Sequence, residues 1–421
     1  MQRGSEKRHF SVHCMECSWS NEGLGFSPKC PVCGACLDFR YATPFSLVTT
    51  GGRRIPGGIW RHWRHLPVAK PELAITLGEG ETPLHSCRNV ARHLGVPEFL
   101  VKDEGQNPTG SFKDRTAAVG VSSAVEHGAC EVAIASDANA GPATAAYAAR
   151  AGLLCHVFMP EVSSPSRVAQ ALSFGAHVYV TRTDGLVSDC IDLVEALAED
   201  FDWYHLTTAR PVNPYQAEGT KTIAYELSQQ LTRWPDWLVL SAGGGGLIVG
   251  MYRALIELAE AGIIERIPRI LCVQGDACDP IATAVLTRTP IQRTSLRHET
   301  VAVPISVPWP LDGAEAVQAV QATGGSAISV TDPEILEAQR HLARLQGISA
   351  SAAGAVAAAG AIKAVGEGLV KTTESILTLV TASGLKDLGV VVSADQSQLH
   401  HVPNALERVR KTVGAVRESR P

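Results

Sequence analysis

Short apolar runs alternate with segments of helical periodicity along most of the chain, and this alternation predicts an α/β architecture. The runs have the length of buried strands. The segments between them are rich in Ala and Leu and carry apolar residues three and four positions apart, as on one face of a helix. Such alternation favours mostly parallel sheets covered by helices. The predicted buried strands are FLVK (99–102), EVAIAS (131–136), CHVFMP (155–160), HVYVT (177–181), WLVLSA (237–242), ILCVQ (270–274) and ILTLVT (376–381).

The predicted helices lie between these strands, and one of them is unusually rich in alanine. SASAAGAVAAAGAIKAV (349–365) predicts a closely packed helix, and Lys363 within it argues against a membrane span. The other predicted helices are TAAVGVSSAVEHG (116–128), PATAAYAARAG (142–152), RVAQALSFGA (167–176), CIDLVEALAED (190–200) and LIVGMYRALIELAEAG (247–262).

Length and composition restrict the class of protein. A chain of 421 residues fits about two to three domains, and 45% hydrophobic with 19% charged residues is typical of a globular protein. The formal net charge of -5 offers no polybasic surface, so we expect small-molecule partners and no nucleic-acid or membrane partner. The first residues, MQRGSEKRHF, lack the apolar core of a signal peptide, so we expect a cytoplasmic protein.

Four of the eleven cysteines form a CxxC–x12–CxxC pattern near the start of the chain: Cys14, Cys17, Cys30 and Cys33. Residues 1–45 are too few to be held by a hydrophobic core alone. Two CxxC turns supply the four thiolates of a tetrahedral zinc site, so we predict a structural Zn²⁺ with no open coordination position. Plain thiols or a redox pair are the alternatives, and Cys36 could replace Cys33 as a ligand. The segment that follows, 46–75, predicts an ordered linker with amphipathic packing.

A lysine at the start of a predicted helix is the first sign of chemistry. The block from Lys102 to Arg115 runs from a strand through the turn sequence Asn-Pro-Thr-Gly, and Ser111 suits an N-cap. Lys113 would then stand in the first helical turn, where the macrodipole disfavours a cation. A neutral amine or imine is easier to hold there, which is what Schiff-base chemistry needs. A solvated surface lysine is the alternative.

Two further strand ends carry small or polar residues before a helix. Four glycines, 243–246, follow WLVLSA and precede an apolar helix, which predicts either a phosphate-binding loop or a simple tight turn. The sequence Ser136-Asp137-Ala138-Asn139 follows EVAIAS in the same way.

In this combination and order, the motifs resemble threonine synthase and its relatives, the pyridoxal-phosphate enzymes of the tryptophan-synthase-β fold (fold type II). The resemblance covers nearly the whole chain. It includes the cysteine-rich head, GEGETPL (78–84), the block 107–115, the Asn139 loop, Asn213-Pro-Tyr with EGTKT (218–222), the four glycines and TASGLKD (381–387).

The resemblance implies a fold and a domain organisation. It implies a two-domain α/β protein with mostly parallel sheets, with pyridoxal 5′-phosphate in the cleft between the domains, and a homodimer. The implied units are a zinc-ribbon-like head (1–45), a large cofactor-binding domain (46–110 and 215–400), a small α/β domain with the Asn139 loop (111–214) and a C-terminal tail (401–421).

Roles for individual residues are also implied by the resemblance. Lys113 matches the catalytic lysine that binds the cofactor covalently, and Asn139 matches the residue that contacts the cofactor O3′. Gly243, Gly244, Gly245 and Gly246 match the phosphate-binding loop, and Thr381 matches the hydroxyl residue facing the pyridine nitrogen. We assign substrate contacts to Ser111, Ser136, Asp137, Ala140, Arg167 and Asn213.

The positions that match substrate-binding residues depart from the family pattern. Asp137 and Ala138 occupy the usual Ser-x-Gly-Asn loop, where Asp137 either repels a substrate carboxylate or points to solvent. Gln216 stands in place of the usual arginine, 348–352 reads ISASA in place of Glu-Pro-x-Ser-Ala, and 382–383 reads Ala-Ser in place of Gly-His. Arg167 keeps one cation for an anionic substrate, and Arg115 and Lys221 could add others.

These departures lead us to expect an elimination or replacement enzyme whose substrate, a phosphorylated or otherwise anionic amino acid, differs from that of a housekeeping threonine synthase. Conversion of O-phosphohomoserine to threonine is the reference reaction. The alternative is β-replacement or β-elimination on serine or phosphoserine-type substrates, as in a cysteate-synthase-like or dehydratase-like paralogue. A non-catalytic scaffold is a third interpretation, which the retention of Lys113 disfavours.

Overall fold

The computed structural model describes residues 8–22, 25–47, 56–182, 187–387, 409–411 and 413. The described residues up to Lys386 belong to one compact unit, and a second unit begins at Asp387. The predicted tail, 401–421, lies almost entirely outside the described residues, and residues 48–55 of the predicted linker also lie outside them. Within that linker a 3-10 helix, Gly58–His65, buries Ile59 and Trp60, so this part of the linker packs as expected.

The described residues form thirteen strands. In chain order they are β1 (Phe10–Cys14), β2 (Ser20–Asn21), β3 (Leu37–Tyr41), β4 (Leu84–Ser86), β5 (Phe99–Asp103), β6 (Glu131–Ala135), β7 (Leu154–Pro160), β8 (His177–Thr181), β9 (Tyr204–His205), β10 (Trp237–Ser241), β11 (Arg269–Gly275), β12 (Ser326–Val330) and β13 (Ile376–Val380).

Twelve α-helices occur in the same part of the chain. They are α1 (Arg88–Leu94), α2 (Lys113–Glu126), α3 (Ala140–Ala151), α4 (Pro165–Ser173), α5 (Val187–Phe201), α6 (Pro214–Ala217), α7 (Thr222–Gln230), α8 (Gly246–Glu260), α9 (Pro280–Thr287), α10 (Gly313–Ala322), α11 (Asp332–Gln346) and α12 (Ala352–Gly366).

The strands form three sheets. A six-stranded sheet has the order β12-β11-β10-β13-β5-β4, parallel except for β4. A four-stranded parallel sheet has the order β8-β7-β6-β9, and a small antiparallel sheet, β2-β1-β3, carries the head. The predicted α/β class with mostly parallel sheets is confirmed. The proposed domain boundaries remain a prediction.

All seven predicted strands are present, but one of them is not buried. Tyr179 and Val180 of β8 are exposed, because β8 is an edge strand that pairs only with β7. The prediction of a buried strand at 177–181 is therefore wrong. The short β4 and β9, the three head strands and β12 carry no long apolar run and escape sequence analysis.

The close packing of helix α12 explains why it is rich in alanine. It is buried along most of its length, and a Cβ added at Gly360 would lie 2.3 Å from Val273 Cγ2 on β11. Only very small side chains allow a helix to approach a strand this closely. Among the described residues, no helix is both long and apolar enough to cross a membrane.

Candidate active site

A cavity of about 500 Å³ lies at the carboxyl ends of strands from both of the larger sheets. Ser136 follows β6, the glycines 243–246 follow β10 and Thr381 follows β13, and all of them line it. Ligands of open α/β sheets bind at this edge, and a cavity of a few hundred Å³ is a usual size for a small-molecule site.

Lys113 is the first residue of α2 and lines this cavity. Its Nζ donates a hydrogen bond to Thr208 Oγ1 at 2.9 Å and lies 4.8 Å from the centre of the Phe112 ring. Burial lowers the pKa of Lys113 to about 8, against the opposing effect of Asp312 and Asp137. The structure thus places this amine in a cavity and not on the open surface, with a substantial neutral fraction at mildly alkaline pH.

The predicted N-cap at Ser111 is wrong. Phe112 holds the N-cap position without a side-chain cap, and its own N–H donates to the carbonyl of Thr381 at 3.0 Å. Ser111 pairs with Ala382 in an isolated antiparallel bridge, and its hydroxyl is buried without a hydrogen-bond partner. A long-range backbone contact therefore replaces the local cap at this helix start.

The tetraglycine loop has the shape of an anion cradle. Gly245 has φ +98°, and a Cβ there would lie 2.9 Å from the backbone carbonyl carbon of Asp312. Gly244 lines the cavity and has no heavy atom within 4 Å of its Cβ position. Since α8 begins at Gly246, unpaired N–H groups at a helix N-terminus are available to an anion. A phosphate group fits this cradle, and an aldehyde fits the amine of Lys113.

The loop after β6 is held by its own serine. Ser136 Oγ accepts the N–H groups of Ala138 at 3.2 Å and Gly141 at 3.0 Å. Asn139 precedes α3 and is buried, and its Oδ1 accepts a hydrogen bond from Arg167 Nε at 3.3 Å. Arg167 is therefore placed to orient the Asn139 amide.

Asp137 lines the cavity. Of the two orientations that the sequence allowed, toward the substrate or toward solvent, the structure has the one toward the cavity. Burial raises the pKa of Asp137 to about 6, while Arg167 and Lys113 act in the opposite direction. The side chain consequently adds negative charge to the cavity above about pH 6.

The predicted site residues fall into two groups. Lining the cavity are Lys113, Ser136, Asp137, Ala140, Gly243, Gly244, Gly245, Gly246 and Thr381. Outside the lining are Ser111, Asn139, Arg167 and Asn213. Asn213 has a structural role, because its Oδ1 accepts the N–H groups of Tyr215 and Gln216 at the start of α6.

Two other cations considered for an anionic substrate are engaged elsewhere. Arg115 is fully buried and pairs with Glu104 at 2.7 Å and Glu226 at 2.6 Å. Lys221 is also fully buried and pairs with Glu218 and Glu257, each at 2.6 Å. Both side chains serve internal ion pairs, so the expectation that they could bind substrate is wrong.

Several lining residues were not singled out from the sequence. Asp312 is buried, and its Oδ1 accepts the backbone N–H of Arg210 at 3.0 Å. Burial raises the pKa of Asp312 to about 7. No strand–turn–helix motif surrounds this residue. The only local indication of a special role is its position before Gly313, where α10 begins. Other polar residues of the lining that were not singled out include Thr116, Asp192, Thr207, Thr208, Arg210, Ser241 and Arg293.

The four predicted cysteine ligands come together in the head. The Sγ atoms of Cys14, Cys17, Cys30 and Cys33 lie within 4.8 Å of one another, close to the spacing of about 3.8 Å expected for thiolates around a tetrahedral Zn²⁺. Cys36 stays outside this group, and its Sγ donates to the Leu37 carbonyl at 3.6 Å. The geometry fits the ligand set that contains Cys33, and not the alternative set in which Cys36 replaces it.

Comparison with known proteins adds to this picture. The family model described as "Pyridoxal-phosphate dependent enzyme" matches residues 75–382. The chain is 37% identical over 359 residues to a threonine synthase of Methanocaldococcus jannaschii, covering 84% of this chain and 87% of that one. It is 35% identical over 390 residues to a threonine synthase of Methanosarcina acetivorans, covering 91% and 94%.

Solved structures share the fold at lower identity. Maize serine racemase aligns with a TM-score of 0.61 at 20% identity, covering 80% of this chain and 93% of that chain. Diaminopropionate ammonia lyase from Escherichia coli aligns with a TM-score of 0.65 at 20% identity, covering 77% and 89%. These likenesses concern the arrangement of the elements alone.

Proposed function

The chain belongs to the pyridoxal-phosphate-dependent enzyme family and is a threonine synthase-like lyase of fold type II, and we propose that it catalyses elimination or replacement at the side-chain carbons of an amino acid. The observation that supports this most strongly is the position of Lys113, an amine at a helix start inside a cavity that also contains a glycine anion cradle. Both features are what the cofactor requires from its protein.

Lys113 and the glycines 243–246 are the residues that would hold the cofactor, through its aldehyde and its phosphate. When bound, the cofactor supplies an electron sink for the electrons released at the substrate Cα. The Lys113 amine would carry protons between the substrate Cα, Cβ and Cγ, while the leaving group departs with the electron pair of its bond and, in a replacement, water or another nucleophile takes its place; a pKa of about 8 suits this proton transfer. Thr208 would orient Nζ between these positions.

Two more residues would contact polar atoms of the cofactor ring. We assign Thr381 to the pyridine nitrogen, where a neutral hydroxyl does not enforce protonation as an aspartate would. We assign Asn139 to the O3′ atom, with Arg167 as the residue that positions its amide. Both assignments rest on the matching motifs; Thr381 also lines the cavity, and Asn139 lies in the chain between the lining residues Ala138 and Ala140.

The reference reaction for this proposal is conversion of O-phosphohomoserine to threonine, because the relatives above are named threonine synthases. A second candidate is β-replacement or β-elimination on serine-type substrates. Gln216 favours it, because this residue lines the cavity where the family carries arginine and donates its Nε2–H to the Thr207 carbonyl. The cavity thus lacks a fixed cation at this position.

An absorbance measurement tests the proposal against the non-catalytic scaffold. The purified holoprotein should show an absorbance band at about 410 nm that disappears on borohydride treatment, since an imine to lysine is reduced by this reagent. A protein that binds no cofactor and shows no band would favour the scaffold.

Two finer assignments accompany the proposal. We assign Zn²⁺ to the four-cysteine cluster of the head, because its sulfur atoms fit a tetrahedral site. We also assign a homodimer, on the motif resemblance, and light scattering of the purified protein would test this oligomeric state.

A further inference from the structure

The opening of the cavity is marked by exposed residues of its lining. Asp192 lies on α5, while Arg293, Trp309 and Leu311 lie on the segment between α9 and α10, and all of them are exposed. This segment is irregular apart from a short 3-10 helix, Val303–Ile305. Long irregular segments beside a cavity commonly carry binding residues, because the helices and strands at their ends hold them in place.

Two of the three cations in the described lining are already committed, the three being Lys113, Arg210 and Arg293. Lys113 serves the cofactor in the function proposed above. Arg210 donates to both carboxylate oxygens of Glu315, at 2.7 and 2.6 Å, and to the Leu37 carbonyl at 3.1 Å. These bonds leave the guanidinium of Arg210 with few donors for a ligand.

The carboxyl groups inside the cavity also use the charge of the committed cations. Lys113 and Arg210 act electrostatically on Asp312. Lys113 and Arg167 act in the same way on Asp137, and Arg167 is absent from the lining. Within the described part of the lining, the inner cavity therefore has no cation to spare for a substrate anion.

Arg293 differs from the other cations because its guanidinium is free. It makes no hydrogen bond or ion pair with any residue that the structure describes, and Asp192 at the same opening does not pair with it. The neighbouring backbone is fixed nonetheless, since the N–H of Thr294 donates to the carbonyl of Pro308 at 3.1 Å. The N–H donors of Arg293 are thus available to a ligand, on a side chain whose base is held in place.

We propose that Arg293 binds a phosphate group at the end of the substrate side chain, so that this group lies at the opening of the cavity and not beside Gln216. The proposal rests on the function proposed above, because it concerns the substrate of the same site. A planar guanidinium binds phosphate in bidentate fashion. Gln216, which lines the cavity where the family carries arginine, has no charge to offer. A phosphate at the opening also keeps part of its hydration, which lowers the cost of binding a dianion.

The test compares substrates that differ only in the phosphate group. The holoprotein is titrated with O-phosphohomoserine, homoserine, O-phosphoserine and serine at about pH 7.5, where a phosphate ester is largely a dianion. The Kd is obtained from the change in absorbance of the bound cofactor. We expect at least one phosphate ester to bind about tenfold more tightly than the alcohol of the same chain length.

Two substitutions of Arg293 connect this preference to its guanidinium. Arg293→Met should weaken binding of that phosphate ester about tenfold and change the Kd of the alcohols by less than about twofold. A purely structural effect would weaken both kinds of compound alike. Arg293→Lys should retain part of the preference, because an ammonium keeps the charge without the bidentate geometry. Arg233→Met is the matched control, since Arg233 is exposed and lies outside the lining.

The salt dependence provides a second measurement of the same contact. An interaction with an exposed cation is screened by salt. Raising the KCl concentration to about 0.5 M should therefore weaken binding of the phosphate ester more in the wild-type protein than in Arg293→Met.

Four results would overturn the proposal: phosphate esters that bind no more tightly than their alcohols, an unchanged preference in Arg293→Met, an equal loss in Arg233→Met, or the same salt dependence in Arg293→Met as in the wild type. Each presupposes a normal cofactor band and a spectral response to at least one compound. Absence of the band or of every response would instead contradict the function proposed above, so the two failures are distinguishable.

Discussion

Arg210 Nη2 donates a hydrogen bond to the backbone carbonyl of Leu37 at 3.1 Å and thereby joins the cysteine-rich head to the wall of the cavity. Leu37 opens β3 of the head. The backbone N–H of Arg210 donates to Asp312, whose backbone lies against Gly245 of the tetraglycine loop. A short chain of contacts therefore connects the predicted zinc site to the predicted phosphate site.

Cys30→Ser tests this connection. We expect the variant to lose about one zinc per chain, to unfold at a temperature several degrees lower and to bind the cofactor more weakly, because the head no longer supports Arg210. Metal analysis, thermal unfolding and cofactor titration measure the three effects. Cys36→Ser is the control, since Cys36 lies outside the cluster; equal behaviour of the two variants, or a wild type without zinc, would contradict the assignment.

Arg115 should be essential for stability and not for substrate recognition. Replacement of Arg115 by Met removes the only cation that pairs with Glu104 among the described ion pairs. A buried glutamate left without its partner costs about 3–5 kcal/mol in the free energy of unfolding. Urea denaturation of the variant measures this loss. A change below about 1 kcal/mol would show that the network does not hold α2 in place.

Neighbouring glycines of the loop should respond differently to alanine. Gly245→Ala places a Cβ at φ +98° and against the Asp312 backbone, so we expect a loss of about 2 kcal/mol or more in unfolding free energy. Gly244→Ala has open space for its Cβ and should retain stability while binding the cofactor about tenfold more weakly. If Gly244→Ala bound the cofactor normally, the assignment of this loop to the phosphate would be wrong.

Capture of the cofactor aldehyde should depend on the protonation of Lys113. Because burial lowers the pKa of Lys113 to about 8, the reactive neutral amine increases as the pH rises through that value and approaches its maximum about one pH unit above it. Stopped-flow mixing of the apoprotein with the cofactor at a series of pH values would measure the rate constant. An ordinary lysine would give a rate that still rises at about pH 10.

The sequence predicts the site best where the information is local. Lys113 and the glycines 243–246 each lie in a strand–turn–helix pattern, and the structure places all of them around one cavity. Asp312 has no such pattern, because its position depends on contacts with Arg210 and Gly245, which are distant in the sequence.

The wrong predictions have a common cause, since each depends on contacts with residues that lie farther along the chain than a local motif. Ser111 has the residue type of an N-cap, but the Thr381 carbonyl takes the N–H of Phe112 and the helix starts without a side-chain cap. Arg115 and Lys221 resemble anion-binding residues until their glutamate partners are known. Local patterns thus identify the elements and the cofactor loop, whereas charge pairing is decided by tertiary contacts.

The most direct test of the account is peptide mass spectrometry of the holoprotein after borohydride reduction. We expect one pyridoxyl group per chain on the peptide that contains Lys113, and none on a Lys113→Ala variant that remains folded. A pyridoxyl group on another lysine, or no modified peptide in the wild type, would contradict it.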